Sequence, residues 1–187
     1  MSNVFEAISD RLRAFIEAQH VFFVATAPSS ADGRVNLSPK GLDTLRVLDE
    51  RTVAYLDFVG SGVETISHLR ENGRIALMFC AFAGPPNIVR LHGRGEAIEP
   101  SDTRFAALAA RFPPADGTRA VILVRVERAS DSCGYGVPLY EYQGERTQLG
   151  AWAAKKGSEG LVQYQREKNA ASIDGLPGLR WVDKKEA

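Results

Sequence analysis

The sequence is poor in the residues that build a disulfide scaffold or a closed metal centre. Its 187 residues include two cysteines, Cys80 and Cys133, and three widely separated histidines, His20, His68 and His92. A structural zinc site or a disulfide framework draws on about four ligands, and neither a Cys-x-x-Cys nor a His-Glu-x-x-His pattern occurs. No metal site is therefore expected. A charge excess of one sign is also missing, because 23 basic residues balance 23 acidic ones. That leaves no global basic field for nucleic acid. No apolar run approaches the roughly 20 residues that cross a bilayer, and the N-terminus lacks a basic, apolar and small-residue leader pattern. The expectation is a cytoplasmic protein with neither nucleic acid nor membrane as a partner. What is present is 44% hydrophobic and 25% charged residues, a composition for one folded domain, alone or with an appended lobe.

Val4, Ile8, Leu12, Phe15 and Ile16 recur at helical spacing behind a capping box of Asn3 and Glu6, which predicts an opening helix. Val21 to Ala27 is rich in β-branched and aromatic residues, and the turn Ala31-Asp32-Gly33 leads to Val35-Asn36-Leu37-Ser38, so a hairpin is expected. Further strand signals lie at 53–58, 75–82, 88–98 and 120–126. Val63 to Asn72 reads as a short helix closed by Gly73, and Ser101 or Asp102 caps an Ala-rich helix that Pro113 and Pro114 stop. Strands joined mostly by hairpin-like links point to an α+β fold, a mainly antiparallel sheet or barrel with flanking helices. Beyond residue 128 the character changes: Ser132-Cys133-Gly134-Tyr135-Gly136-Val137-Pro138 suits no regular element, and two short helices are expected over 148–156 and 158–169. The chain thus divides into a barrel domain, 1–128, and a helical C-terminal extension, 129–187, packed on the barrel or on a dimer interface.

Three places carry possible chemistry. Alternation along Ile88 to Ile98 puts Arg90, His92, Arg94 and Glu96 on one face and Val89, Leu91, Gly93, Gly95 and Ala97 on the other. Interior glycines mark a bend or the close approach of a backbone or flat ligand, so both a solvated curved strand and an anion or planar ring near Arg90 fit. Gly60-Ser61-Gly62-Val63-Glu64-Thr65 joins a strand to a helix, where unpaired N–H groups and the helix dipole suit a phosphate. Ser61 and Thr65 add hydroxyls there, although Ser61 could equally serve only as a helix cap. The segment also reads as half of a dinucleotide fingerprint, but the missing third glycine and the missing acidic ribose partner argue against it. Val35 to Gly41 alternates polar residues that can bond a heterocycle edge, and Lys40 can reach an anion; an ordinary exposed strand also fits. There is no Gly-x-Ser-x-Gly elbow, Cys80 reads as a small core residue, and Cys133 has no electropositive setting.

Taken in order, Asn36-Leu37-Ser38-Pro39-Lys40-Gly41, the segment Tyr55 to Ile66, Leu69-Arg70-Glu71-Asn72-Gly73-Arg74 and Val89-Arg90-Leu91-His92-Gly93-Arg94-Gly95 resemble the pyridoxamine 5'-phosphate oxidase-like family of FMN-binding proteins. The likeness covers residues 1 to about 128, and the tail looks like a subgroup of related flavoproteins. It implies a split β-barrel and a homodimer with FMN at the interface. Carried over by position, Asn36, Leu37, Ser38, Pro39 and Lys40 line the flavin ring, Ser61, Gly62 and Thr65 hold the phosphate, and Asp57 and Arg90 belong to the same cofactor site. The partner chain's contribution would come from the tail, with Tyr135, Tyr140 or Trp181 facing the ring.

The implied activity is an FMN-dependent oxidoreductase that moves a hydride through flavin N5 to or from a small molecule. This chain departs from the oxidase that names the family. Glu64-Thr65 stands where that enzyme has an Arg-Lys pair on the phosphate, and the tail shows no clear counterpart of its substrate-gripping segment. Pyridoxamine phosphate oxidation is thus not expected. No residue has an evident general acid or base role, so a non-catalytic flavin-binding or storage protein is the second reading. A deazaflavin or haem in the same pocket is the third, with no histidine evidently placed to ligate haem.

Overall fold

A computed structural model describes residues 2–182, so the last five residues of the extension lie outside the described residues. In chain order the elements are β1 (Ser2–Phe5), α1 (Asp10–Glu17), β2 (Phe22–Thr26), β3 (Asn36–Lys40), β4 (Leu45–Asp49), β5 (Thr52–Phe58), α2 (Glu64–Glu71), β6 (Arg74–Cys80), β7 (Ile88–Ile98), α3 (Phe105–Ala109), β8 (Thr118–Ser132) and α4 (Gln148–Lys168). The strands form one antiparallel sheet in the order β3-β2-β6-β7-β8-β5-β4, with β1 also paired to β8. This is the expected α+β architecture. β8 organises it: β7 pairs with it from Ser132 to Val121, while β5 and β1 divide its other edge.

The sheet is not closed, because its end strands β3 and β4 do not pair with each other. It nevertheless curls, since Lys40 on β3 touches Asp57 on β5, five places away in the strand order. The curl follows from what the strands bury. Val24, Val53, Tyr55, Leu77, Phe79, Leu91 and Ile122 share one face, and Leu12 and Ile16 of α1 and Ile66 and Leu69 of α2 pack onto it. Removing that much apolar surface from water is the dominant favourable term of the fold. The opposite face of β5 and β8 carries a smaller cluster of Ala54, Leu56 and Val121 under Phe105 and Phe112.

The opening helix begins later than the sequence pattern predicts. Ser9 is its N-cap, accepting from the Leu12 N–H, and residues 2–5 are a strand. The reason is tertiary: β5 stops pairing at Arg125, and β1 occupies the remaining edge of β8 from Ala129 to Ser132. Asn3 accordingly donates its side-chain amide to Asp131 at 2.8 Å and caps nothing. β4 is a further strand without a prior signal, and the Ala-rich helix shortens to α3. By contrast β7 spans the expected residues, Gly73 ends α2 with φ +70°, and α4 breaks at Gly157 (φ 64°, ψ 175°), between the two helices expected there. Among the described residues no helix is long and apolar enough to cross a membrane.

The two β7 glycines accommodate the protein itself. Gly93 lies at the β7–β8 register shift, where a Cβ would collide with the Arg125 carbonyl, and Gly95 abuts Leu69 of α2. The tail also joins the core: Leu179 is fully buried in the main cluster. Gly178 sits so close to the Asn169 carbonyl that a Cβ would overlap it. Gly178→Ala should therefore lower stability by about 1–3 kcal/mol, the usual cost of overpacking. Thermal or denaturant unfolding checks this, and an unchanged midpoint would mean that the close approach of Gly178 to Asn169 within the tail is not kept in solution.

Candidate functional site

The site begins with a buried carboxylate. Asp57, near the end of β5, is fully buried; its Oδ1 accepts from Lys40 Nζ at 2.8 Å and its Oδ2 from Arg119 Nε at 2.8 Å. Burial pushes the Asp57 pKa up, but the charges and hydrogen bonds of Arg119 and Lys40 outweigh it and hold the carboxyl below its usual value. Arg119 reaches this position because of a bulge. Asp57 pairs with Ala120 and Phe58 with Thr118, so Arg119 is the extra residue on β8. Plain alternation would aim it with Val121 at the other face, whereas the bulge turns it inward. One carboxylate between two cations leaves one net positive charge at the gap between β3 and β5.

A polar network continues from there along β3. The register pairs Phe22 with Lys40, Val24 with Ser38 and Thr26 with Asn36, so all three polar β3 side chains face inward. Asn36 Nδ2 donates to Thr26 Oγ1 (3.1 Å) and Thr65 Oγ1 (3.0 Å), and Ser38 Oγ donates to Asn36 Oδ1 (3.0 Å). Thr26 Oγ1 also shares a hydrogen bond with His68 Nδ1, 2.9 Å away. His68 Nε2 is a buried atom with no hydrogen-bond partner among the described residues. Burial lowers the His68 pKa, against the opposing charges of Glu64, Asp174 and Glu71. The Tyr55 hydroxyl is likewise buried without a partner among the described residues, and burial, followed by the Asp57 charge, raises its pKa well above the usual value.

The loop between β5 and α2 closes the site. Its N-cap is Val63 and no side chain caps the helix, so Ser61 does not serve as a cap. The N–H groups of residues 61–66 find no acceptor among the described residues. Arg119 Nη1 donates to the Gly62 carbonyl at 2.7 Å, and Asn169 Nδ2, from the tail, donates to the Gly60 carbonyl at 2.9 Å. Glu64 folds its carboxylate back over Gly62 and accepts from the Ile173 N–H at 3.2 Å. The tail is tied down further by Asp174, which accepts from the Arg34 N–H at 2.7 Å and pairs with the Arg34 guanidinium.

The ten residues singled out from the sequence therefore divide. Asn36, Ser38, Lys40, Asp57 and Thr65 come together on the inner face, with Ser61 and Gly62 on the adjoining loop. Leu37 and Pro39 point to the opposite face, and the cross-strand register puts Arg90 on that face too, through Ala25, Phe23 and Met78. There Arg90 donates to Ser132 Oγ at 3.1 Å. Tyr135 and Tyr140 are exposed, and Trp181 packs partly buried against the core. Thr26, His68, Arg119 and Asn169 were not among the residues assigned to the site from the sequence; of these His68, a histidine inside an amphipathic helix, and Asn169, in the tail segment that resembles the flavoprotein subgroup, offered a signal.

Replacing Asp57 by Asn would leave two cations around a neutral buried amide, which should cost about 3–5 kcal/mol of stability. Because the native pKa is depressed, this contribution is present above the unfolded carboxyl value of about 4 and is lost as pH falls through the native one. Denaturant unfolding of both proteins should show a gap that is full at about pH 6 and narrows below about pH 4; a gap independent of pH would remove the ion-pair account.

Residues 8–133 match the family model described as pyridoxamine 5'-phosphate oxidase. The Aspergillus flavus protein ustO, described as a pyridoxamine 5'-phosphate oxidase family protein, is 42% identical over 193 residues, spanning 94% of this chain and 77% of that one. Among solved structures, a tagged variant of HupZ from Group A Streptococcus superposes with a TM-score of 0.52 at 23% identity, over 67% of this chain and 99% of HupZ. A protein from Lactobacillus delbrueckii, described as a putative pyridoxamine 5'-phosphate oxidase, gives 0.51 at 19% identity, over 67% and 94% of the two chains. Those two structures support the fold, while the sequence matches carry the assignment: the chain belongs to the pyridoxamine 5'-phosphate oxidase family.

Proposed function

We propose that this chain binds FMN beside β3 and serves as an oxidoreductase acting on a small organic molecule. The observation that carries the reading is the convergence of Asn36, Ser38, Lys40, Thr65 and the Gly60–Gly62 loop around one net positive charge. Two features there suit an anion: the loop offers N–H groups without acceptors, and Asp57 neutralises only one of the two cations it contacts. These residues fit a flavin phosphate. Asn36 and Ser38 supply the donors and acceptors that suit a heterocycle edge. When bound, the flavin supplies hydride transfer at N5, and the chain's part is to hold and orient it.

Glu64 works against this affinity, because its carboxylate lies over Gly62 where a phosphate would approach. A second copy of the chain would complete the site, in keeping with the exposed Leu37 on the Arg90 face and the exposed Tyr135 and Tyr140 of the extension. The extension, 129–187, is then part of the cofactor site as well as a separate lobe, since Asn169 reaches Gly60. A non-catalytic flavin-binding role is the second reading. It is favoured by the burial of His68 and Tyr55, which leaves these two titratable groups without access to a substrate.

A visible absorbance spectrum of the purified protein, FMN titration by fluorescence and size-exclusion chromatography test the proposal. Bound flavin and a dimer are expected, with Glu64→Gln tightening FMN several-fold by removing a like charge. No flavin binding by the wild type would overturn the reading. With flavin bound, turnover with NADH or NADPH and common acceptors separates an oxidoreductase from a storage protein.

A further inference from the structure

We propose that two buried side chains, Arg119 and Asn169, are positioning residues that turn the N–H groups of the Gly60–Gly62 loop toward the cofactor phosphate. The inference rests on the flavin reading above and adds to it how a chain with Glu64 in the first turn of α2 still presents a phosphate cradle. The argument comes from peptide geometry. In a planar trans peptide the carbonyl and the following N–H point in opposite directions. Asn169 Nδ2 holds the Gly60 carbonyl at 2.9 Å, and Arg119 Nη1 holds the Gly62 carbonyl at 2.7 Å. The N–H groups of Ser61 and Val63 are thereby directed away from these two buried donors, and neither has an acceptor among the described residues.

Both anchors are buried. Asn169 is fully buried, Arg119 is 5% exposed, and the Arg119 guanidinium is held at a second point by Asp57, with Nε 2.8 Å from Oδ2. A guanidinium fork can bridge a carboxylate and a carbonyl in this way; a lysine ammonium keeps the charge but not the fixed two-point geometry. The two residues come from parts of the chain outside the loop, β8 and the C-terminal extension, which gives the extension a role in the cofactor site within one subunit.

The test compares FMN with riboflavin, which lacks the phosphate, in the full-length wild type and in Arg119→Lys and Asn169→Ala, with folding monitored by circular dichroism. The expected result is a loss of FMN affinity of about tenfold or more in each variant, the scale of one charge-assisted or buried hydrogen bond. Riboflavin affinity should stay within about twofold of wild type, a change worth less than a single hydrogen bond. A merely structural role would weaken both flavins together. Wild-type FMN-to-riboflavin selectivity in a folded variant overturns the inference. So does a wild type that binds the two flavins equally, an outcome that leaves the flavin reading standing; a wild type that binds neither overturns both.

Discussion

A carboxylate without access to solvent stays ionised only if opposite charges reach it, and at Asp57 they arrive from two separate parts of the fold. Lys40 comes from the edge strand β3, and Arg119 from a bulge in the central strand β8. Because β3 and β4 leave the sheet open, the Lys40–Asp57 pair ties across a gap that no backbone ladder closes. The second cation then does something further. Once anchored by Asp57, Arg119 has a free arm for the Gly62 carbonyl, so the orientation of the loop depends on the charge balance inside the barrel.

The extension completes this arrangement from the other side. Its chain passes over α2, buries Leu179 in the main core, and brings Asn169 to the Gly60 carbonyl and Asp174 to Arg34. Ser67 of α2 and Glu99 after β7 also bond to its backbone. A division of the chain near residue 128 therefore describes composition better than it describes the site. Loop, helix and tail act as one unit around the first turn of α2.

Much of the fold was legible because it rests on short-range signals. The alternation of β7 marks that strand, Gly73 closes α2 at a positive φ, and Gly157 separates the two arms of α4. β1 was not legible: its residues suit a helical period as well as a strand, and the vacant edge of β8 decides between them. Lys40 stood out at the end of its polar strand and Asp57 through a family likeness, yet their contact with each other did not, because the curl of the whole sheet brings them together. Arg119 had no signal at all, since its alternation parity places it on the wrong face until the bulge is known.

The sequence by itself determined the α+β class, most of the strands, the absence of a nucleic-acid-like charge field and the family to which the chain belongs. These follow from composition, periodicity and motif order, which are properties of neighbouring residues. The tertiary structure alone decided that Leu37, Pro39 and Arg90 lie across the sheet from Asn36, Ser38 and Lys40, and that Arg119 and Asn169 hold the loop. The reason is that sidedness in a curled sheet depends on register and bulges, and a buried ion cluster joins residues as far apart as 57 and 119.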